Sequence, residues 1–276
     1  MKRIDLIGSP IAHVLSPSIL NPMLRAAGDG VQVVRTEMTE GELAEYVRMT
    51  REGREVVGLI VTTPLKQPIL AHLDEATDLV RLVGASNCVR FDDNGWRGAN
   101  FDGLGFIEGL AAAAGRSSEQ RILLVGCGGA GGAIAASLVM TGKVDLALYD
   151  IEEARPARLA ARLAAASASG VRIRPAEPVG EFDVVINASP VGMHPSDPLP
   201  LPRETVARAT IVADIVARDD TSLKRLARSL GKPLVTGEAM VLGQAPLLHR
   251  FLLSHAASEF EVVTGRDGRR RASVLE

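Results

Sequence analysis

The run Gly126-Cys127-Gly128-Gly129-Ala130-Gly131-Gly132-Ala133 directly follows the apolar residues Ile122-Leu123-Leu124-Val125 and opens an Ala-rich stretch. A strand, a glycine turn and a helix in that order leave few folds open. Gly126, Gly128 and Gly131 keep the G-x-G-x-x-G spacing of a dinucleotide turn. Each glycine has a separate physical task there: a tight turn, backbone approach to a pyrophosphate, and close packing of helix on strand. The helix N-terminus, with Gly129 and Ala130 in its first turn, offers backbone N–H groups and positive dipole charge to phosphates. An acid, Asp150, ends the next apolar run. It lies about 24 residues beyond Gly126, near the roughly 20 expected of the ribose-binding acid. A carboxylate there accepts from ribose hydroxyls and repels a 2′-phosphate, which favours NAD over NADP. Ile151-Glu152-Glu153 follow, and Arg155 is the nearby cation. The structural alternative, that Asp150 caps a helix starting at Ile151, stays open at this point.

The rest of the chain must supply a partner to this unit. Its 276 residues are long for one average domain and comfortable for two. Aromatics are only 3%, so the cores have to be built from Ala, Val, Leu and Ile, which suits Val/Ile-rich strands under Ala/Leu-rich helices. Residues 3–7, 31–36 and 56–61 read as strands, with helices at 17–27 and 40–51 between them. That β-α-β-α-β rhythm calls for a parallel sheet. Residues 86–91 and 95–99 flank Asp92, Asp93 and Asn94 and read as a hairpin, followed by a helix at 104–114. Strand candidates then recur at 122–125, 146–149, 183–186, 211–213 and 234–235, and a long helix covers 240–254. The expected class is α/β, with an N-terminal α/β domain over 1–102 and a Rossmann-like domain over 103–239. The helix 240–254 is free to pack back on the first domain.

A net charge of −2 gives no electrostatic case for nucleic acid or an anionic membrane. The basic run 269–271 reads as a solvated tail. Cys88 and Cys127 are too far apart in sequence for a disulfide framework or a metal cluster, and His13, His72, His194, His249 and His255 show no ligand spacing. The start breaks at Gly8 and Pro10 before a signal-peptide run develops, and no stretch has the roughly 20 apolar residues of a membrane span. The expectation is a cytoplasmic protein without metal.

Two residues of the first half are candidates for chemistry. Lys66 follows the run Val61-Thr62-Thr63-Pro64-Leu65, and Asp102 follows Gly98-Ala99-Asn100-Phe101. Both fall in loops at strand carboxyl ends, where open α/β sheets place ligands. A Lys beside an Asp can carry a proton to or from an alcohol oxygen while hydride moves at carbon. By spacing alone, two solvated loop residues remain the alternative.

The chain resembles the shikimate dehydrogenase family from about Gly8 to Gln244. Gly8-Ser9-Pro10-Ile11-Ala12-His13-Val14-Leu15-Ser16-Pro17 resembles its opening loop, and Val61-Thr62-Thr63-Pro64-Leu65-Lys66 its catalytic lysine loop. Gly84-Ala85-Ser86-Asn87 and Gly98-Ala99-Asn100-Phe101-Asp102-Gly103 resemble the segments that bring a substrate-binding Asn and the catalytic Asp. Asn187-Ala188-Ser189-Pro190-Val191-Gly192-Met193 and Gly237-Glu238-Ala239-Met240 look like its nicotinamide-side segments. The resemblance implies that Lys66 and Asp102 handle the proton and that Ser16, Thr62, Asn87 and Gln244 surround a ring substrate. Ala188, Ser189, Met193, Gly237 and Met240 would join the glycine turn in holding the cofactor.

Four departures fall on the substrate side. Val14 and Phe101 stand where the family presents hydroxyl residues, Ile60 where it has Asn, and Ala217 where it has Tyr. With Val14 and Phe101 lining it, the pocket should be less polar. The expected activity is therefore an NAD-dependent interconversion of ring hydroxyl and ketone on a shikimate- or quinate-like cyclic hydroxy acid. An ordinary shikimate dehydrogenase, a non-catalytic metabolite or cofactor sensor and a folate one-carbon dehydrogenase are the alternatives. Retention of both Lys66 and Asp102 speaks against the sensor, and the Asn87, Asp102 and Gln244 segments against the folate enzyme. A small molecule is the expected partner, and a homodimer is left open.

Overall fold

The computed structural model describes residues 2–93, 95–115, 119–141, 143–167 and 171–253. Asn94, Ser254, His255 and the basic run 269–271, named above, lie outside them. The described residues divide into two compact units, the first running to Asp102 and taking in Gln244–Leu253, the second running over Gly103–Gly243.

In the first unit β1 (Lys2–Gly8), α1 (Ser16–Ala27), β2 (Val31–Glu37), α2 (Glu40–Glu52) and β3 (Val56–Val61) alternate as the periodicity predicts. There follow β4 (Glu75–Ala76), α3 (Asp78–Val83), β5 (Cys88–Asp92) and β6 (Gly95–Ala99). The sheet order is β2-β1-β3-β5-β6-β4. The first three strands are parallel, whereas β5 runs antiparallel to both β3 and β6. A hairpin added to a parallel edge reverses direction by necessity, so the sheet is mixed. Ser86 and Asn87, expected in the strand, precede it: the Ser86 N–H bonds the Lys66 carbonyl, while Asn87 still bonds Ala99 and Val61 through its backbone. α2 has a capping box, with Thr39 and Glu42 exchanging hydrogen bonds. Its apolar face joins Ile7, Leu59 and Val61 in one core with Leu65 and Trp96.

The second unit begins in α4 (Asp102–Ala114) and continues through β7 (Glu119–Val125), α5 (Gly129–Thr141), β8 (Lys143–Tyr149), α6 (Ala154–Ala164) and β9 (Arg172–Pro175). Then come β10 (Val184–Asn187), α7 (Arg203–Arg208), β11 (Ile211–Asp214), α8 (Ser222–Ser229), β12 (Leu234–Thr236) and α9 (Gly237–Leu253). The strand order β12-β11-β10-β7-β8-β9 is all parallel. This is the doubly wound order with its switch between β7 and β10, beside the glycine turn. Val184, Val185 and Ile186 are wholly buried, as strands covered on both faces should be. No helix among the described residues is long and apolar enough to cross a membrane.

Candidate active site

Lys66 and Asp102 meet. Lys66 follows β3 in a loop closed by the Leu65 N–H on the Thr62 carbonyl, and its own carbonyl accepts from the Ser86 N–H. Asp102 is the first residue of α4, where a carboxylate is favoured by the helix dipole. The Lys66 ammonium donates to Asp102 Oδ2 at 2.5 Å, with the side chains 15% and 3% exposed. The lysine therefore reaches the surface of the first unit while the carboxylate lies beneath it.

Asn87 fixes the other side of Asp102. Its Nδ2 donates to Asp102 Oδ1 at 2.8 Å and to Gln244 Oε1 at 2.9 Å, while its Oδ1 accepts the Phe101 N–H at 2.9 Å. Because the Phe101 N–H can only donate, the Asn87 amide cannot be reversed without setting donor against donor. Asn100 Oδ1 in turn accepts the Asp102 N–H, and its Nδ2 donates to the Ala85 carbonyl. Asn87, Asn100, Asp102 and Gln244 are all buried, so the network is internal and satisfied.

Ser16 begins α1 and is buried, whereas Val14 and Thr62 are half-exposed on neighbouring loops. Arg35 in β2 holds that opening loop, donating to the Ile11 and Val14 carbonyls. The Phe101 ring is buried edge-on to Phe251, centroids 5.5 Å apart, and the Arg90 guanidinium lies over the far ring. Ile60 is buried within β3, and Ala217 is exposed beyond β11.

The second unit carries the glycine turn at the carboxyl end of β7. Gly126 has φ +98°, and a Cβ there would meet Ser189 N at 2.6 Å; one at Gly131 would stand 1.9 Å from the Gly126 carbonyl. Both positions therefore require glycine. Around Gly128, by contrast, a Cβ would meet nothing within 4 Å. The Gly132 N–H makes its helical bond to the Gly128 carbonyl, so the N–H groups of Gly129, Ala130 and Gly131 precede any helical acceptor. This open cradle of donors fits a dinucleotide pyrophosphate.

Asp150 is buried at the end of β8, where it accepts from Cys127 N at 2.7 Å and Glu152 N at 3.0 Å. Arg155 approaches it to 3.8 Å. It does not cap a helix at Ile151, since α6 starts at Ala154. Burial, with Asp150 alongside, pushes the Cys127 thiol up to about 12. Ala188 and Ser189 are half-buried against the turn, Met193 is 43% exposed and Met240 is buried. Gly237 approaches the Ile215 carbonyl so closely that a Cβ would lie 2.5 Å from it.

Sequence reasoning passed over Lys224, Asp214 and Thr221. Burial pushes the Asp214 carboxyl above its ordinary value, against the bonds from Thr221 and the nearby Lys224 charge. Burial likewise lowers Lys224, against Asp214 and Asp219. The available signal was a lysine on the apolar face of α8, beside Leu223, Leu226 and Ala227.

Comparison with known proteins accounts for this arrangement. The family model of the shikimate dehydrogenase substrate binding domain matches residues 6–89. A shikimate dehydrogenase (NADP(+)) of Rubrobacter xylanophilus is 34% identical, covering 87% of each chain. The crystal structure of shikimate 5-dehydrogenase from Thermus thermophilus, in complex with NADP(H) and shikimate, superposes with a TM-score of 0.80 at 29% identity, over 91% of this chain and 93% of that one. A 5-ketofructose reductase of a Gluconobacter strain, at 24% identity and a TM-score of 0.78 over 91% of this chain and 92% of that one, shares the fold. With its N-terminal substrate domain and Rossmann-like dinucleotide domain, this chain belongs to the shikimate dehydrogenase family, nicotinamide-dependent oxidoreductases acting on CH–OH groups.

Proposed function

We propose that the chain interconverts a ring hydroxyl and its ketone on a shikimate- or quinate-like cyclic acid, with Lys66 and Asp102 as the proton-handling pair and NAD preferred over NADP. The observation that carries this reading is the 2.5 Å contact between Lys66 Nζ and the buried Asp102 carboxylate. When bound, the nicotinamide accepts or supplies the hydride. In the reducing direction the Lys66 ammonium gives its proton to the oxygen that becomes the hydroxyl; in oxidation the neutral amine takes that proton back. Asp102 orients the ammonium and stabilises its charge. Asn87 and Gln244 hold Asp102 in place, and Ser16 and Thr62 serve as polar contacts to the ring.

The cofactor preference rests on Asp150. Each carboxylate oxygen has two acceptor positions, so the bonds from Cys127 and Glu152 are compatible with ribose hydroxyls, and a 2′-phosphate would meet a negative charge. The altered substrate rests on Val14, which offers no hydroxyl, and on Phe101, whose ring packs on Phe251. Two hydrogen bonds lost at about 1–1.5 kcal/mol each correspond to a deficit of about 10²-fold in kcat/KM for shikimate.

A second reading, shikimate as the physiological substrate and NADP as the cofactor, is favoured by the name of the Rubrobacter relative. Initial rates with NAD and NADP against shikimate, quinate, aminoshikimate and uncarboxylated cyclic polyols separate the two. Shikimate turned over with NADP, in preference to NAD, at a kcat/KM of about 10⁵ M⁻¹s⁻¹ or more would favour the second reading. Weak shikimate activity and a better ring substrate support the first.

A further inference from the structure

The second unit contains a buried hydrogen-bonded ring that joins two strand-end loops. Ser189 donates through both its N–H and its hydroxyl to Asn187 Oδ1, and Asn187 Nδ2 donates to Asp214 Oδ1 at 3.0 Å and to the Val191 carbonyl. Asp214 Oδ2 accepts the Thr221 hydroxyl at 2.5 Å. Thr221 caps α8 by accepting the Lys224 N–H. The Lys224 side chain then folds back from the helix, and its ammonium donates to the carbonyls of Val216 and Arg218. The Arg218 guanidinium points to the carbonyls of Gly192 and Met193, at 3.4 and 3.5 Å, which closes the ring on the loop where it began.

The Lys224 ammonium donates to backbone carbonyls, and the residue is 3% exposed, where Arg218, the other cation of the ring, is half-exposed. A buried ammonium costs far more than an apolar side chain unless its hydrogen bonds do something packing cannot. Here it gathers the carbonyls of a loop that has no regular structure between β11 and α8. That loop faces Gly192, whose Cβ position would lie 3.3 Å from Thr221. The other end of the same assembly, Ala188 and Ser189, packs under the glycine turn. We infer that Lys224 is a positioning residue: through Val216 and Arg218 it sets the loops after β10 and β11 that receive the nicotinamide half of the cofactor. The inference rests on the cofactor reading above and adds the residue that shapes that half of the site.

Two ligands isolate the effect. NADH or NADPH, whichever the wild type binds more tightly, carries the nicotinamide; ADP-ribose engages the glycine turn and Asp150 but lacks it. Lys224→Met keeps the length and removes the donors, while Arg218→Met cuts the half-exposed link and is unlike a core change. Titration calorimetry should show the reduced cofactor weakened by about tenfold in Lys224→Met and about threefold in Arg218→Met, with ADP-ribose within about twofold of wild type. Equal loss of both ligands, or no loss of either, overturns the inference and leaves Lys224 a structural residue. Should Lys224→Met not fold, Arg218→Met decides on the same criterion. A wild-type protein that binds neither reduced cofactor refutes the cofactor reading itself, before Lys224 is in question.

Discussion

Asp102→Asn is the sharpest perturbation the first unit offers, because no orientation of the new amide suits its neighbours. One carboxylate oxygen accepts the Lys66 ammonium and the other accepts Asn87 Nδ2. An amide must turn its NH2 toward one of these two donors. Asn87 cannot rotate to help, since its own oxygen is held by the Phe101 N–H. The substitution therefore loses a charge-assisted bond and adds a donor–donor conflict, about 3 kcal/mol together. Lys66→Met leaves the carboxylate buried with Asn87 as its side-chain partner, a cost of about 3–5 kcal/mol. In the double variant the conflict vanishes: the amide oxygen faces Asn87 and the NH2 faces the methionine. Urea unfolding of the four proteins should give a double variant more stable than the two single losses added together predict, with a coupling of about 2–3 kcal/mol. All three variants should lose about 10²–10⁴ in kcat, and the double no more than the worse single, as groups acting as a unit do. Stabilities additive within about 0.5 kcal/mol would refute the geometric argument. A Lys66→Met enzyme with more than half of wild-type turnover would refute the chemical one.

Three further outcomes are expected. Asp150→Ser combined with Ile151→Arg, the latter at a position that is almost wholly exposed, should move kcat/KM preference toward NADP; equal use of both cofactors by the wild type would show Asp150 to be only the latch on Cys127 and Glu152. Native protein at pH 8 should react with a disulfide reagent at least about 10²-fold more slowly than a free thiol, because burial raises both Cys88 and Cys127; one thiol reacting at the free rate contradicts this. The Trp96 N–H, with Arg51 beside it, holds the Asp74 carboxyl below its ordinary value, so its contribution is present above about pH 4 and is lost as pH falls through the depressed value. Asp74→Asn should accordingly weaken the protein at pH 7 and flatten its acid unfolding, which denaturation at pH 7, 4 and 3 would measure.

Most of the strands were legible because burial leaves its mark on composition. Residues 56–61 and 95–99 read from the sequence coincide with β3 and β6. β4 and β9 were not: β4 has two residues, and β9, an edge strand that is mostly exposed and carries two arginines, has no apolar run for burial to leave. The antiparallel run of β5 against β3 was hidden because a pairing partner is a long-range fact, absent from local pattern. In the site, residue types could be read but not directions. That the Phe101 ring packs on Phe251, on a helix about 150 residues away in sequence, is a long-range fact its place before Asp102 does not carry. Lys224 was passed over because a lysine in a helix usually marks a solvated face, and the carbonyls of Val216 and Arg218 that receive its ammonium, with Asp214 nearby, are long-range facts.

That the Phe101 contribution to Asn87 comes from its backbone has a consequence for how such a site can vary. The hydrogen bonds that hold Asp102 and Lys66 come from Asn87, Gln244 and Asn100, and from an N–H that any residue but proline supplies at position 101. Val14, Ile60 and Ala217 make none of them. On the proposed function, proton handling and ring recognition are therefore separable in this unit: side chains at 14 and 101 can change polarity while the lysine–aspartate pair keeps its geometry. A change at Asn87 or Gln244 cannot be isolated in the same way, because Asn87 links Asp102 to α9 and each loss leaves a buried donor or acceptor without its partner. Substitutions that alter which ring acid is preferred should accordingly move KM at positions 14 and 101, and those at 87 and 244 should lower kcat.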